Sequence, residues 1–242
     1  MPVTRKLRCR VEKVRAVGEG VYTVDLAPVE PVPRFKPGQF LHLTLDEYDP
    51  SSFWPESRIF SIASSPARRD FLQLAYSVRG VYTARMEREL CEGRQVWVKL
   101  PYGEFVVEDK KDVVLFAGGT GITAFTAFIG NLDPEMRQRV CLAYGVRTRS
   151  LQIYRDEIEE KAASIPNLCV RYFMEDLVEG SAPEDDKTVP GRLNVDAVWP
   201  HVREPLSSIY YISGPPAMIA GITRDLLNHG INKDLIRIDA WD

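Results

Sequence analysis

Residues 113–132, VVLFAGGTGITAFTAFIGNL, limit most strongly what this chain can become: twenty consecutive positions carry no charge. That is about the length of a membrane span. Yet Gly118, Gly119 and Gly121 interrupt the run after five apolar residues, and Asp112 and Asp133 bound it without basic or aromatic anchors. The pattern predicts a buried strand, a glycine turn and the start of a helix, and no membrane span. Glycines there let backbone approach a diphosphate, and a helix N-terminus supplies unpaired N–H groups and the positive end of its dipole. Gly119, Thr120, Gly121 and Thr123 are therefore candidate nucleotide-binding residues. Taken alone, G-x-G-x-x-A also suits a tight turn that binds nothing.

The chain changes character just before this segment. The first hundred residues read as short strands: RCRVEKVRAV, VYTVDLAP, QFLHLTL, IFSIASS, FLQLAYSVR and RQVWVKL are alternating or β-branched runs separated by Pro, Gly and Asp. Only YTARMEREL, residues 82–90, has a helical pattern. Many strands and one short helix predict a closed antiparallel barrel. After Glu108-Asp109-Lys110-Lys111, strands alternate with helices: DVVLFA, RVCLAYGV, LCVRYFME, SIYYISG and LIRIDAW as strands, with helices after the glycine turn and over SLQIYRDEIEEKAAS, LNVDAVWPHV and PAMIAGITRDLLNHG. That alternation predicts a doubly wound parallel sheet. The fold expected is a two-domain one: an antiparallel β-barrel over residues 1–108 and an α/β nucleotide-binding domain over 109–242. Residues 175–190, acidic and rich in breakers, read as a mobile loop.

Composition removes several classes. With 242 residues, 45% hydrophobic and 27% charged, the chain is long enough for one large domain or two compact ones. A net charge of −3 gives no support to a nucleic-acid partner. The basic cluster Arg5, Lys6, Arg8, Arg10, Lys13 and Arg15 reads as a solvated strand face. Cys9, Cys91, Cys141 and Cys169 have neither the spacing of a zinc site nor the clustering of an iron–sulfur centre. His42, His201 and His229 are equally scattered, so no metal site is expected. The opening MPVTRKLRCR has no apolar core, which leaves a cytoplasmic location with reduced thiols as the expectation.

A second anion-friendly constellation lies in the barrel half. Arg58-Ile59-Phe60-Ser61 begins an apolar strand, with an Arg able to hold phosphate and an aromatic face beside a small hydroxyl. Gly80-Val81-Tyr82-Thr83 opens the short helix and again presents backbone donors. On their own, Arg58 also suits a surface ion pair and Phe60 a core position. The order of the pieces is more specific. R-x-F-S, then G-x-x-T, then G-G-T-G-I-T after a strand, then Ser213-Gly214-Pro215-Pro216-Ala217-Met218 and a terminal aromatic resembles the ferredoxin–NADP reductase superfamily over nearly the whole chain. Phe35-Lys36-Pro37-Gly38-Gln39-Phe40 and Leu100-Pro101-Tyr102-Gly103-Glu104-Phe105 are similar to the family's F-x-P-G-Q-F strand and barrel-closing segment.

The resemblance implies a flavin on the barrel, FAD with FMN possible, and NADPH or NADH on the parallel sheet. Arg58 would hold flavin phosphate. Phe60 stands where the family has a Tyr against the isoalloxazine, and Ile59 lies between them. Ser61 would bond near the reactive flavin nitrogen. Tyr76, Ser77 and Val78 would run beside the flavin tail, and Gly80, Val81, Tyr82 and Thr83 would cradle its diphosphate. Ala124 replaces a common Pro. Ser213 replaces the family's Cys, with Gly214 and Pro215 following, and Ile238-Asp239-Ala240-Trp241 resembles V-E-V-Y. Trp241 would then cover the flavin face, although a core Trp on an edge strand fits the same position. Ser61, Ser213 and Trp241 are the catalytic residues this implies.

Arg147 and Arg149 follow the second strand of the α/β half, where guanidinium groups suit a 2′-phosphate and no carboxylate awaits a free 2′-hydroxyl. They point to NADPH, with NADH open. The activity implied is NAD(P)H oxidation through the flavin, with electrons passed to a separate ferredoxin, an oxygenase component or a small oxidant. Arg68, Arg69, Arg79 and Arg85 would suit an acidic partner, or stand as surface charge only. The rival reading is a non-catalytic or regulatory flavoprotein subunit, in which Ser213 and Trp241 block turnover.

Overall fold

A computed structural model describes residues 3–108, 111–177 and 185–239 of the chain. It divides into two compact units, Met1–Val106 with Thr126–Phe128, and Val107–Phe125 with Ile129–Asp242.

The first unit is a nearly closed antiparallel barrel. Its strands are β1 (Arg5–Gly18), β2 (Val21–Pro28), β3 (Phe40–Thr44), β4 (Arg58–Ser61), β5 (Leu72–Ser77) and β6 (Gln95–Tyr102), with one helix, α1 (Val81–Glu89). The hydrogen-bonded order is β4-β3-β6-β1-β2-β5. Alternation fixes the faces: Leu7, Cys9 and Val11 point into the core, while Lys6, Arg8 and Arg10 stay exposed. A register shift between Val11 and Lys13 changes the phase, so Glu12 and Lys13 are both outside. The remaining basic residues of this stretch, Arg5 and Arg15, are exposed too, so the cluster is a solvated strand face. Tyr82 and Met86, one turn apart on α1, are the helix's buried pair and join the barrel core. The two ends of the strand order meet just beyond β4, where the Ala63 amide donates to the Gln73 carbonyl at 2.8 Å.

The second unit is a parallel sheet of β7 (Val113–Gly118), β8 (Val140–Val146), β9 (Leu168–Met174), β10 (Thr188–Pro190), β11 (Ile209–Ser213) and β12 (Ile236–Asp239). Its order is β10-β9-β8-β7-β11-β12. The helices are α2 (Thr123–Gly130), α3 (Arg155–Ser164), α4 (Val195–Val198) and α5 (Pro216–Asn228). All six residues of β7 are buried, as expected of a central strand covered on both faces.

The glycine turn expected after β7 is a 3-10 turn, Gly119–Ile122, and α2 follows from Thr123. Three local expectations need correction. The helix expected over residues 150–164 starts at Arg155: residues 151–154 are four consecutive buried side chains, which one helix face cannot hold, and Tyr154 turns left-handed at φ 60°. The helix expected over 193–202 shortens to α4 plus the 3-10 turn Trp199–His201, because Pro200 lacks the N–H that would continue it. Within the stretch read as a mobile loop, Thr188–Pro190 is a strand in register with Tyr172–Met174. Among the described residues, no helix is long and apolar enough to cross a membrane, and no group of three or more His, Cys, Asp or Glu side chains is arranged for a metal ion.

Candidate functional site

In the second unit the chain leaves β7 toward β8 and β9 on one side, and returns through β11 and β12 on the other. The gap between the carboxyl ends of β7 and β11 is thus a topological switch point, where open α/β sheets hold ligands. Both glycine-bearing motifs fall there, after β7 and after β11.

The two loops touch backbone to backbone. A Cβ on Gly121 would lie 2.3 Å from the Ser213 carbonyl oxygen, and one on Gly214 would lie 3.1 Å from the Gly118 Cα. Gly118 is hemmed in by Met218 Sδ and Pro215, at 2.5 and 2.9 Å from the place a Cβ would take. Gly119 differs: its φ is +54°, and a Cβ there would meet nothing within 4 Å. Of the glycines expected to meet a diphosphate, Gly121 is therefore needed for loop contact, while Gly119 borders open space. Thr123 is buried, and its hydroxyl donates to the Thr120 carbonyl at 2.8 Å, tying the turn to the first residue of α2. Pro215 and Pro216 set the start of α5, where a missing N–H is no loss.

Ser213 is fully buried and donates to the Asp239 carboxylate at 2.9 Å. The two residues are register partners across β11 and β12. Asp239 was not singled out from the sequence as a site residue. In β12, Ile238 is 41% exposed while Asp239 is 7% exposed, so the strand buries its carboxylate and shows its isoleucine. Trp241 lies outside the described residues, as does Ala240. Arg147 and Arg149 are exposed at and just after the carboxyl end of β8, Arg149 on a 3-10 turn.

In the first unit, β4 and β5 are the terminal strands of the sheet order. Arg58 pairs with Glu56 at 2.9 Å, and its guanidinium lies 4.7 Å from the Tyr82 ring centre. Ile59 is partly exposed, and Phe60 and Ser61 are buried. Phe60 meets the Tyr76 ring edge-on at 6.4 Å, and Tyr76 stacks on Tyr22 at 5.2 Å. The Tyr76 hydroxyl is buried without a hydrogen-bond partner, and desolvation holds it strongly against ionisation. Ser77 and Val78 are half-buried, and the Val78 amide bonds the Gly20 carbonyl at 2.8 Å.

At the start of α1, Thr83 accepts from the amides of Arg79 and Gly80 at 2.9 and 3.1 Å. The first-turn amides of Val81, Tyr82 and Thr83 have no acceptor inside the helix. A Cβ on Gly80 would meet nothing within 4 Å, and Val81 is 89% exposed. The Tyr82 side chain turns inward, with its hydroxyl donating to the Leu43 carbonyl at 2.9 Å, so only its backbone belongs to this surface. Three of the four arginines considered for a partner surface are engaged within the chain: Arg68 pairs with Asp70 and lies over the Phe71 ring, Arg69 bonds the Val32 carbonyl, and Arg85 pairs with Asp46 and Glu89.

Comparison with known proteins fits this geometry. A family model described as an oxidoreductase NAD-binding domain matches residues 115–224. The reductase component of propane 2-monooxygenase from Mycolicibacterium smegmatis is 28% identical over 97% of this chain and 67% of its own length. The reductase component of phenol 2-monooxygenase from Pseudomonas sp. strain CF600 is 29% identical over 93% of this chain and 65% of its own. This chain thus spans about two thirds of those relatives. Among solved structures, a cytochrome P450 reductase from Amycolatopsis superposes with a TM-score of 0.82 at 23% identity, over 99% of this chain and 70% of that one. The FAD/NAD-binding domain of a nitric oxide dioxygenase from Vibrio cholerae gives 0.81 at 18%, over 97% and 98%.

Residues 115–224 thus match the oxidoreductase NAD-binding domain family, and nearly the whole chain is similar to reductase components of monooxygenases. The antiparallel barrel and the parallel sheet are the two halves expected from the sequence.

Proposed function

We propose that this chain oxidises NADPH or NADH through a bound flavin, FAD in the first instance with FMN as the variant, and hands electrons to an acceptor outside this sequence. The acceptor class is an oxygenase component, a ferredoxin or a small oxidant. One observation carries the reading: in each unit a glycine at the start of a helical turn borders open space, with nothing within 4 Å of the place a Cβ would take, so a phosphate can approach the backbone there. These glycines are Gly80 and Gly119. The relatives named as reductase components of monooxygenases support the acceptor class.

The residues present fit a flavin. The space around Gly80 admits a diphosphate, and the buried Tyr76 hydroxyl lacks a partner that a ligand beside β5 would supply. A flavin bound there supplies the chemistry that takes two electrons from a nicotinamide and releases them singly. The protein's part is binding and orientation. The amides of Val81, Tyr82 and Thr83 hold phosphate oxygens, with Arg58 as the charge partner once it exchanges Glu56 for phosphate. Phe60 offers a ring face without the family tyrosine's hydroxyl, and Ser61 a hydrogen bond beside it. Gly119 and Thr120 receive the nicotinamide nucleotide's diphosphate, and Gly121 keeps the loop against Ser213. With its proton committed to Asp239, the Ser213 oxygen offers only acceptor capacity to a ligand. Arg147 and Arg149 favour NADPH over NADH by offering guanidinium groups to a 2′-phosphate.

An anaerobic titration of the flavin-loaded chain with NADPH and, separately, NADH tests this. Bleaching of the flavin absorbance at stoichiometric nucleotide is expected, at lower concentration for NADPH. A purified chain that takes up neither FAD nor FMN would overturn the assignment, and a loaded chain that neither nucleotide bleaches would favour the non-catalytic reading.

A further inference from the structure

At the end of the parallel sheet opposite the glycine crevice lies a cavity of about 320 Å³. Residues at the amino ends of β7, β8 and β9 line it, together with His201, Arg203 and Ser208. Two of the four cysteines, Cys141 and Cys169, open onto it. They are direct register partners on neighbouring parallel strands. Adjacent strands run about 4.8 Å apart, inside the Cα separation that a disulfide spans.

The surroundings make the two thiols unequal. Cys141 is 5% exposed and Cys169 is half-buried. The neighbouring Cys141 thiol favours the Cys169 thiolate, and the positive charges of Arg171 and Lys187 favour it further. The Cys169 sulfur and burial keep the Cys141 proton in place. Arg139 and Arg203 add positive charge to the cavity wall, against Asp112, while burial and Arg171 keep His201 toward its neutral form. The other two cysteines lack this setting: Cys9 is fully buried, with its thiol pushed up to about 12, and Cys91 is exposed.

We propose that Cys169 and Cys141 form a hydroperoxide-sensitive dithiol, with Cys169 the attacking sulfur and Cys141 the resolving one. In the first step the Cys169 thiolate attacks a peroxide oxygen. The O–O bond breaks, an S–O bond forms, and the departing hydroxide takes a proton to become water. In the second step the Cys141 sulfur attacks the Cys169 sulfenic sulfur. The S–O bond breaks, the S–S bond forms, and the Cys141 proton leaves with the hydroxyl as a second water. Two thiols lose two electrons, and hydrogen peroxide is reduced to two waters. The product fastens β8 to β9 at their amino ends, away from the nucleotide crevice. This site is independent of the flavin reading, because the oxidant is supplied from outside.

The test treats the whole chain, freed of reductant, with a small excess of hydrogen peroxide, and follows intact mass and tryptic peptides. The expected result is a loss of about 2 Da, reversed by dithiothreitol, with residues 140–147 cross-linked to residues 162–171. The same result is expected in a Cys91→Ser background, which removes the exposed thiol. In Cys141→Ser the reaction should stop at a dimedone-trappable sulfenic acid on Cys169. If Cys141→Ser does not fold, the cross-link map of the unmodified chain decides alone. The proposal is overturned if the 140–147 and 162–171 peptides stay reduced, if oxidation is confined to Cys91 or methionine, or if the cross-link appears only in urea-unfolded chain.

Discussion

Ser213 shows how a small change of side chain alters a site. Its hydroxyl is the donor to a buried carboxylate, so removing it takes one hydrogen bond from Asp239. Losing a buried hydrogen bond of this kind costs about 1–3 kcal/mol. Ser213→Ala is therefore expected to lower the thermal midpoint and reduce kcat for a dye acceptor such as ferricyanide, while flavin content stays unchanged; an unaltered kcat would remove Ser213 from the active set. The glycines separate in the same way. Gly121→Ala would drive a methyl group to within 2.3 Å of the Ser213 carbonyl. It should raise KM for the nucleotide tenfold or more. Gly119→Ala meets only its left-handed backbone, at about 1 kcal/mol, and should stay folded with a smaller rise. Equal losses from the two variants would contradict the division of labour. At this scale the glycine motif was legible, because glycine advertises backbone that must be bare. Asp239 was less so: a lone acidic residue in I-R-I-D reads as an outward position until the neighbouring strand shows otherwise.

At the scale of elements, α1 is held by ion pairs as well as by its buried face. Arg85 bonds Asp46 and Glu89, and Arg94 bonds Glu89 as well. The hydrogen bonds from Arg85, its charge and that of Arg94 hold both carboxyls below their usual range. Groups whose folded pKa is depressed add stability that is fully present above their unfolded values, near 4, and that is lost as pH falls through the folded values. Urea midpoints should therefore fall as pH drops below about 4, and Arg85→Met should flatten that fall. A slope identical in the two proteins would show that the cluster adds nothing, as exposed pairs often do. The helix itself was visible in the chain as a charged face around Met86 and Leu90. The start of α3 was hidden by Leu151, Ile153 and Tyr154, whose burial belongs to a turn. The strand Thr188–Pro190 was hidden because three residues ending in Pro carry too little pattern to outweigh the acidic stretch before them.

Over the whole molecule, the change from strands alone to strands alternating with helices was plain in the sequence, since periods of 2 and 3.6 residues differ in any window of reasonable length. The order β10-β9-β8-β7-β11-β12 was not, because periodicity tells which segments are strands and says nothing of which strands are neighbours. The reversal beside β7 makes two loops 93 residues apart, at Gly121 and Gly214, into one seat. With no side chain between them, neither loop can shift without the other. A ligand arriving there finds little loop freedom left to freeze, so ordering entropy takes little from its affinity. Binding at this crevice should thus be fast and nearly rigid-body, and a longer side chain at the contact would harm it first by loosening the empty seat.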